Sequence, residues 1–235
     1  MTLRLHWSPD SANIVVRMAL EELGLDYVGV RVDRAKAQHK SPAFLKLNPQ
    51  GLIPVLEDGP IVLFETGAIL LHLADKVGRL GPRGPSSRDA EARAAFLKWL
   101  FFLSNTLHAD LRMAFYSDRY VDDDDAIPAL RRGLATRFRD HATLIDEALA
   151  PTGWLAAGAP TLVDFYLAAC LRWARLYPRA EPLVAGGDLP PRAMALLRAL
   201  EARPAILRAY AAEHVTAQPL TTPAPADLPP EQVTG

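Results

Sequence analysis

A small α/β domain followed by an all-helical domain is the architecture this sequence predicts. Three observations predict it. Strand and helix patterns alternate up to Gly78. The segment GRLGPRGPSS, through Ser87, is then rich in Gly and Pro and reads as a linker. From Arg88 onward every strong pattern is helical. The expected domains are therefore residues 1–78, a linker at 79–87, a helical domain at 88–215 and a Pro-rich tail at 216–235.

In the first domain, Leu3 to Trp7 reads as a strand. Asn13 to Leu23 is helical, with Val15, Met18, Ala19 and Leu23 on one face and Gly24 as its stop. Tyr27 to Val32 alternates as a second strand. A polar loop, Arg34 to Lys40, leads to a short helix that Pro42 initiates. A strand entered through Ile53-Pro54, a turn at Asp58-Gly59-Pro60 and a strand from Ile61 to Phe64 follow. A helix opens at Glu65-Thr66 and runs to Val77. The order β-α-β-α-β-β-α is that of a small mixed, four-stranded sheet flanked by helices.

In the second domain, a long amphipathic helix is expected from Arg88 to Tyr116 and another from Pro128 to Leu149. The acidic run Asp122 to Asp125 between them reads as a solvated turn and helix start rather than a metal site, because four consecutive aspartates point in different directions. Thr161-Leu162-Val163-Asp164 is a capping box with Asp in place of Glu, and Pro160 and Phe165 are spaced for a hydrophobic staple. Further helices are expected from Pro191 to Ala202 and from Ala205 to His214. The last twenty or so residues, poor in apolar content, read as an extended or disordered tail.

Composition excludes several classes. Half of the 235 residues are hydrophobic and the formal net charge is −1, so a nucleic-acid-binding surface is not expected. No apolar run is long enough to span a bilayer, and no signal-peptide pattern opens the chain. The single Cys170 excludes an internal disulfide and fits a reducing cytoplasm.

The most informative stretch is Asn48 to Asp75. Proline cannot donate to a sheet ladder, so Pro54 at a strand's entrance marks an edge where another backbone can pair. The helix start at Glu65-Thr66 offers free N–H groups and positive dipole, which suit a carboxylate. Together they describe a cradle for a small, acidic, peptide-like ligand.

NPQGLIPVLE, LFETGAILLHLAD and the TLVDFYLAACLRWA capping-box helix, in this order, resemble the cytosolic glutathione transferase family over about residues 1 to 215. The resemblance implies a thioredoxin-like first domain with Pro54 cis, glutathione as co-substrate, no metal and a homodimer. FLSNTLHADLRMAFY further resembles the bacterial beta class, in which a histidine at the position of His108 lies near the active site. The sequence departs from that class at the turn HWSPDSANIVV: aligned on Pro9, the beta-class cysteine position is Ala12.

What the resemblance implies for the site is specific. Ser11, two residues after Pro9, is placed like the hydroxyl that faces the glutathione sulfur in serine-type transferases, with an ordinary helix N-cap as the alternative reading. Asn13 is a second candidate donor. A free thiol titrates at about 8.5, and lowering that by roughly two units takes about 2.7 kcal/mol of preferential thiolate stabilisation. Ile53, freed from the ladder by Pro54, suits the cysteinyl backbone, Thr66 the γ-glutamyl carboxylate and Glu65 its ammonium group. Lys36, His39 and Lys40 are candidates for the glycyl carboxylate, and Arg34 a weaker one. Trp7, Leu107, Leu111, Phe115 and Tyr116 are expected to line an apolar cleft for the electrophile, unless they are core. His108 either polarises that electrophile or is a buried, bonded histidine. The implied reaction is conjugation of glutathione to a hydrophobic electrophile. The alternatives are another glutathione-dependent enzyme (isomerase, dehalogenase or disulfide-bond reductase) and a non-catalytic binding protein on the same fold.

Overall fold

The computed structural model describes residues 2–81, 90–184, 189–215 and 218–227. In the first domain β1 is Leu3–Trp7, α1 Asn13–Leu23, β2 Tyr27–Arg31, α2 Pro42–Leu45, β3 Val55–Asp58, β4 Ile61–Phe64 and α3 Thr66–Val77. The sheet order is β2-β1-β3-β4, with β1 parallel to β2 and β3 antiparallel to both its neighbours. Alternation sorts β1: Leu3 and Leu5 are buried in the main core, while His6 turns to the opposite face, edge-on to Phe44 of α2. Gly24, at φ 69°, closes α1 in the left-handed conformation that glycine adopts without a Cβ penalty.

One expectation is corrected here. The strand after Pro54 is not an edge: β3 pairs with β1 on one side and β4 on the other. The proline's missing donor is accommodated because the ladder starts at Val55, after it.

α1 is buried almost all round because it packs against α3 and also against the helices Leu162–Ala174 and Pro204–Ala211 of the second domain. In the helical domain α4 is Ala90–Phe102, and it runs through a wider π turn, Leu103–Leu107, directly into α5, His108–Phe115. The single helix expected at this place is thus continuous but locally underwound. Within this turn the Ser104 hydroxyl donates to Asn105 Oδ1 at 2.9 Å. The acidic run is an exposed turn, in which the Asp123 carboxylate accepts from the Asp125 N–H at 3.0 Å before α6, Ile127–Leu149.

α7, Leu162–Ala174, is buried on every side and opens on the expected capping box. Asp164 accepts from the Thr161 N–H (2.7 Å), the Thr161 hydroxyl (2.9 Å) and the Leu155 N–H (2.9 Å). α8, Pro191–Glu201, and α9, Pro204–Ala211, complete the helices among the described residues. One apolar cluster runs from Leu3 of the sheet to Leu200, Tyr210 and Leu220 of the helical domain, so the two domains share a core. A smaller cluster of Val32, Phe44 and Val55 lies behind the sheet, with Ile53 and Phe64 against it.

The tail differs from a disordered one where it is described. Residues 218–227 are non-helical but docked. Arg172 Nε and Nη2 donate to the Pro219 and Ala224 carbonyls at 3.1 and 2.7 Å, and Arg175 donates to those of Leu220 and Thr221. Glu201 accepts the Leu220 and Thr221 N–H groups at 2.7 and 3.0 Å, and Leu220 is fully buried. A segment of low apolar content is held because its backbone carbonyls accept guanidinium N–H groups of Arg172 and Arg175 that lie away from water. From residue 82 the linker, the first residues expected of α4 and the tail beyond 227 lie outside the described residues. Among the described residues no helix is long and apolar enough to cross a membrane.

Candidate active site

Strand register builds the first half of the site. β1 pairs His6 with Val55, and β4 pairs Phe64 with Val55. Both ladders end at Val55, so the segments that continue from β1, β3 and β4 leave the sheet at the same end. The catalytic turn expected after β1, the free backbone before β3 and the start of α3 therefore meet at one end of the sheet. Ile53-Pro54 is a cis peptide.

The loop leading to Pro54 is tied to its neighbours. Asn48 Nδ2 donates to the Leu52 carbonyl at 2.8 Å, and its Oδ1 accepts the Gln50 N–H at 3.0 Å. Gly51, at φ 65°, sits so close to the turn Gln38–Lys40 that a Cβ would lie 2.8 Å from the His39 carbonyl oxygen. Lys40 Nζ reaches the Gln50 carbonyl, and Gln50 Nε2 reaches Glu65 Oε1, each at 3.4 Å. Lys40, Gln50 and Glu65 thus belong to one surface. Glu65 is exposed and holds φ 71°, a conformation costing a non-glycine residue about 1–3 kcal/mol that persists where a site requires it. Thr66 is buried at the first turn of α3. Gly67 lies in van der Waals reach of Leu100 and Ser104, which brings α3's start against the π turn.

The cationic candidates separate. Lys36 points into solvent and faces Asp33 at 3.6 Å, outside the tied loop. His39 is half-buried with Nδ1 enclosed and unpartnered. Burial, then the charges of Lys40, Arg34 and Arg119, lower its pKa. Arg119 comes from the helical domain and was not anticipated in this corner.

At the turn, Ser11 is half-buried beside the start of α1. Its hydroxyl does not cap the helix, whose N-cap is Ala12 without a side-chain bond; it donates instead to Asn13 Oδ1. Rotation about Cβ–Oγ would turn this proton away from Asn13. The Asn13 side chain is engaged inward. It is fully buried, its Oδ1 accepts the Ser8 N–H at 2.9 Å, and its Nδ2 is committed to Glu213 Oε1 at 2.5 Å.

The apolar candidates divide by burial. Leu107 and Leu111 are completely buried and belong to the core between helices, not to a cleft wall. Trp7 is occupied as well: the Arg17 guanidinium lies 4.5 Å over its ring and Gly29 packs against its Nε1. Phe115 and Tyr116 remain half-exposed. Phe115 meets Tyr177 edge-on at 5.6 Å, and Tyr177 donates to Asp10 Oδ2 at 2.5 Å, so Phe115 flanks the Ser11 turn. Tyr116 is covered on one face by Arg119. His108 bonds Tyr166 Oη through Nδ1 at 2.8 Å and lies tilted on Trp173 at 5.0 Å. Burial, then Arg112, lower it to about 4, so the ring is neutral. Tyr166 is raised by burial and then by Cys170 and Glu65, which ties this cluster to the α3 end of the site.

Sequence reasoning missed Asp10, Arg172, Tyr177 and Glu213. One signal was available: Arg172 in the otherwise apolar run LAACLRWA has to be paired when buried. Among the described residues no group of His, Cys, Asp and Glu could hold a metal ion.

Two family descriptions match the chain: Glutathione S-transferase, N-terminal domain, over residues 1–75, and Glutathione S-transferase, C-terminal domain, over residues 128–212. Glutathione S-transferase GST-4.5 of Xanthomonas campestris pv. campestris is 31% identical over 172 residues, spanning 73% of this chain and 82% of that one. Disulfide-bond oxidoreductase YfcG of Escherichia coli (strain K12) is 29% identical over 182 residues, 74% of this chain and 80% of its own. Among solved structures, a sphingomonad glutathione S-transferase complexed with glutathione superposes with a TM-score of 0.71 at 28% identity, covering 89% of this chain and 98% of that one.

Proposed function

Because the chain belongs to the glutathione S-transferase family, we propose that it binds glutathione across the end of its sheet and transfers the thiolate to a hydrophobic electrophile. The observation carrying this reading is that the turn after β1, the cis Ile53-Pro54 bond before β3 and the start of α3 leave the sheet at one end, with Glu65 strained beside them. A γ-glutamyl carboxylate fits the α3 N-terminus at Thr66, its ammonium the Glu65 carboxylate, and the cysteinyl backbone pairs with Ile53. His39 and Lys40, with Arg119 nearby, suit the glycyl carboxylate; Lys36 is dispensable. The sulfur then lies toward Ser11, whose hydroxyl, with the positive end of α1, favours the thiolate. Phe115, Tyr116 and Tyr177 flank the electrophile.

Residues 1–78 hold glutathione in this reading, 79–87 connect, 88–215 supply the electrophile's wall, and 216–235 form the Pro-rich tail, of which the described part, 218–227, docks on the helical domain. The site is beta-class-like in its helical domain, with Ala12 at the cysteine position. Ile61 and Val62 of β4 and Phe101 of α4 are exposed apolar side chains, a surface suited to a homodimer that pairs the first domain of one copy with the helical domain of the other. A cytoplasmic setting suits the free, buried Cys170. The likeness to YfcG supports a second reading, reduction of disulfide bonds by glutathione at the same site.

The test is glutathione binding and conjugation of a generic aryl halide by the native protein, Ser11→Ala and Thr66→Ala. Ser11→Ala is expected to raise the pKa of bound glutathione by about two units with KM for glutathione little changed. Thr66→Ala is expected to raise that KM about tenfold, the loss of one charge-assisted hydrogen bond. A native protein without affinity at millimolar glutathione sinks the proposal. Activity on a glutathione mixed disulfide but not on the aryl halide selects the second reading.

A further inference from the structure

The turn that carries Ser11 belongs to the first domain, yet its polar groups are held from the second. Asp10 has φ 50°, outside the ordinary range for a residue with a Cβ. Its carboxylate takes Arg172 Nη1 on Oδ1 and the Tyr177 hydroxyl on Oδ2, both at 2.5 Å. Its N–H donates to Glu213 Oε2 at 3.1 Å. Glu213, fully buried just past α9, also accepts Asn13 Nδ2 at 2.5 Å and Arg17 Nε at 2.9 Å on Oε1. Asn13 in turn receives the Ser11 hydroxyl and the Ser8 N–H. Direct bonds therefore run from the docked segment 219–224, through Arg172 and Asp10, to the residues on both sides of Ser11.

Two buried carboxyl groups face two buried guanidiniums here, an arrangement that adds little net stability compared with apolar packing. α1 is already fixed on α7 and α9 by its apolar side chains. What the ionic network adds is direction. With Nδ2 of Asn13 pinned to Glu213, only its Oδ1 faces Ser11, so the hydroxyl has one internal acceptor and is otherwise free to turn outward. Resting on the glutathione transferase reading, we propose that Glu213 and the Arg172–Tyr177 pair are positioning residues for thiol activation. They act through Asp10 and Asn13 to set where the Ser11 hydroxyl stands relative to the glutathione sulfur.

The experiment uses the full-length chain as native protein, Glu213→Gln, Tyr177→Phe, Ser11→Ala and the Ser11→Ala/Glu213→Gln pair. The thiolate absorbance of bound glutathione is titrated, kcat and KM are measured, and thermal unfolding controls for fold. Glu213→Gln is expected to raise the bound thiol's pKa by about one unit, with kcat at neutral pH down about tenfold and KM for glutathione within about twofold. Tyr177→Phe, which keeps its ring on Phe115, should shift both in the same direction by about threefold in kcat. In the Ser11→Ala background Glu213→Gln should add nothing further.

A folded Glu213→Gln with native thiol pKa, or one whose loss adds fully to that of Ser11→Ala, overturns the proposal. If Glu213→Gln does not fold, Tyr177→Phe decides alone, and no shift there overturns it equally. A native protein that shows no thiolate with glutathione refutes the functional reading as well. A native protein that does, beside unaffected positioning variants, refutes this inference only.

Discussion

His108 and Glu213 titrate in opposite senses, and single substitutions separate them. Burial, with Arg112, lowers His108 from 6.5 to about 4. Its contribution to folding is complete above about pH 6.5 and is lost as pH falls toward 4. Burial raises Glu213 from 4.5 to about 7, although Arg17 and the bonds it receives pull the other way. That contribution is complete below about 4.5 and is lost as pH rises through 7. Between these limits the two offset one another, each at most about 1.4 kcal/mol per pH unit. His108→Asn removes one side of the balance. The urea midpoint of the native protein should fall relative to that of His108→Asn between pH 7 and 4.5. A constant difference across that range would show that His108 is not held neutral. The neutral ring also limits its role toward an electrophile to hydrogen bonding, without a positive charge.

Among the elements, α7 depends on a single carboxylate. Asp164 satisfies two backbone N–H groups and a hydroxyl in a fully buried position, and burial raises its own pKa against them. Asp164→Ala leaves those donors without partners and should cost about 3 kcal/mol, measured by urea denaturation, with Asp164→Asn recovering part. This cap was legible because its signature spans four consecutive residues. Other features were not. Leu100, Leu103, Leu107 and Leu111 fit an ordinary helical stripe, so nothing in their spacing reveals the π turn between α4 and α5. Pro54 announced a break in the ladder, but whether the following strand lay at an edge depended on β1, which pairs with it from about fifty residues away.

At the scale of the molecule, the shared core makes the domains one folding unit. Trp7 lies in the first domain and Trp99, Trp154 and Trp173 in the helical one, all in or against the same apolar cluster. Tryptophan fluorescence and far-UV circular dichroism should therefore report one coincident unfolding midpoint; two separated transitions would refute a common core. The same scale explains what was readable in the site. The cradle, from Gln50 through Ile53 to Thr66, lies within one short window and could be read from it. The partners of the catalytic turn lie at Arg172, Tyr177 and Glu213, and no local pattern links them to Asp10.

The bonds from Asp10 and Asn13 to Glu213 close separations of 203 and 200 residues. During synthesis the strands of the sheet and α1 emerge early, while α9 comes last among the described helices. Local contacts form first, and such distant ones wait until both ends exist. The place where the chemistry is proposed is then among the last parts of the molecule to be finished. Because the two domains share one core, the donor turn gains its partners only when residue 213 has joined that core. The far end of the chain is thus a structural part of a turn laid down some two hundred residues before it.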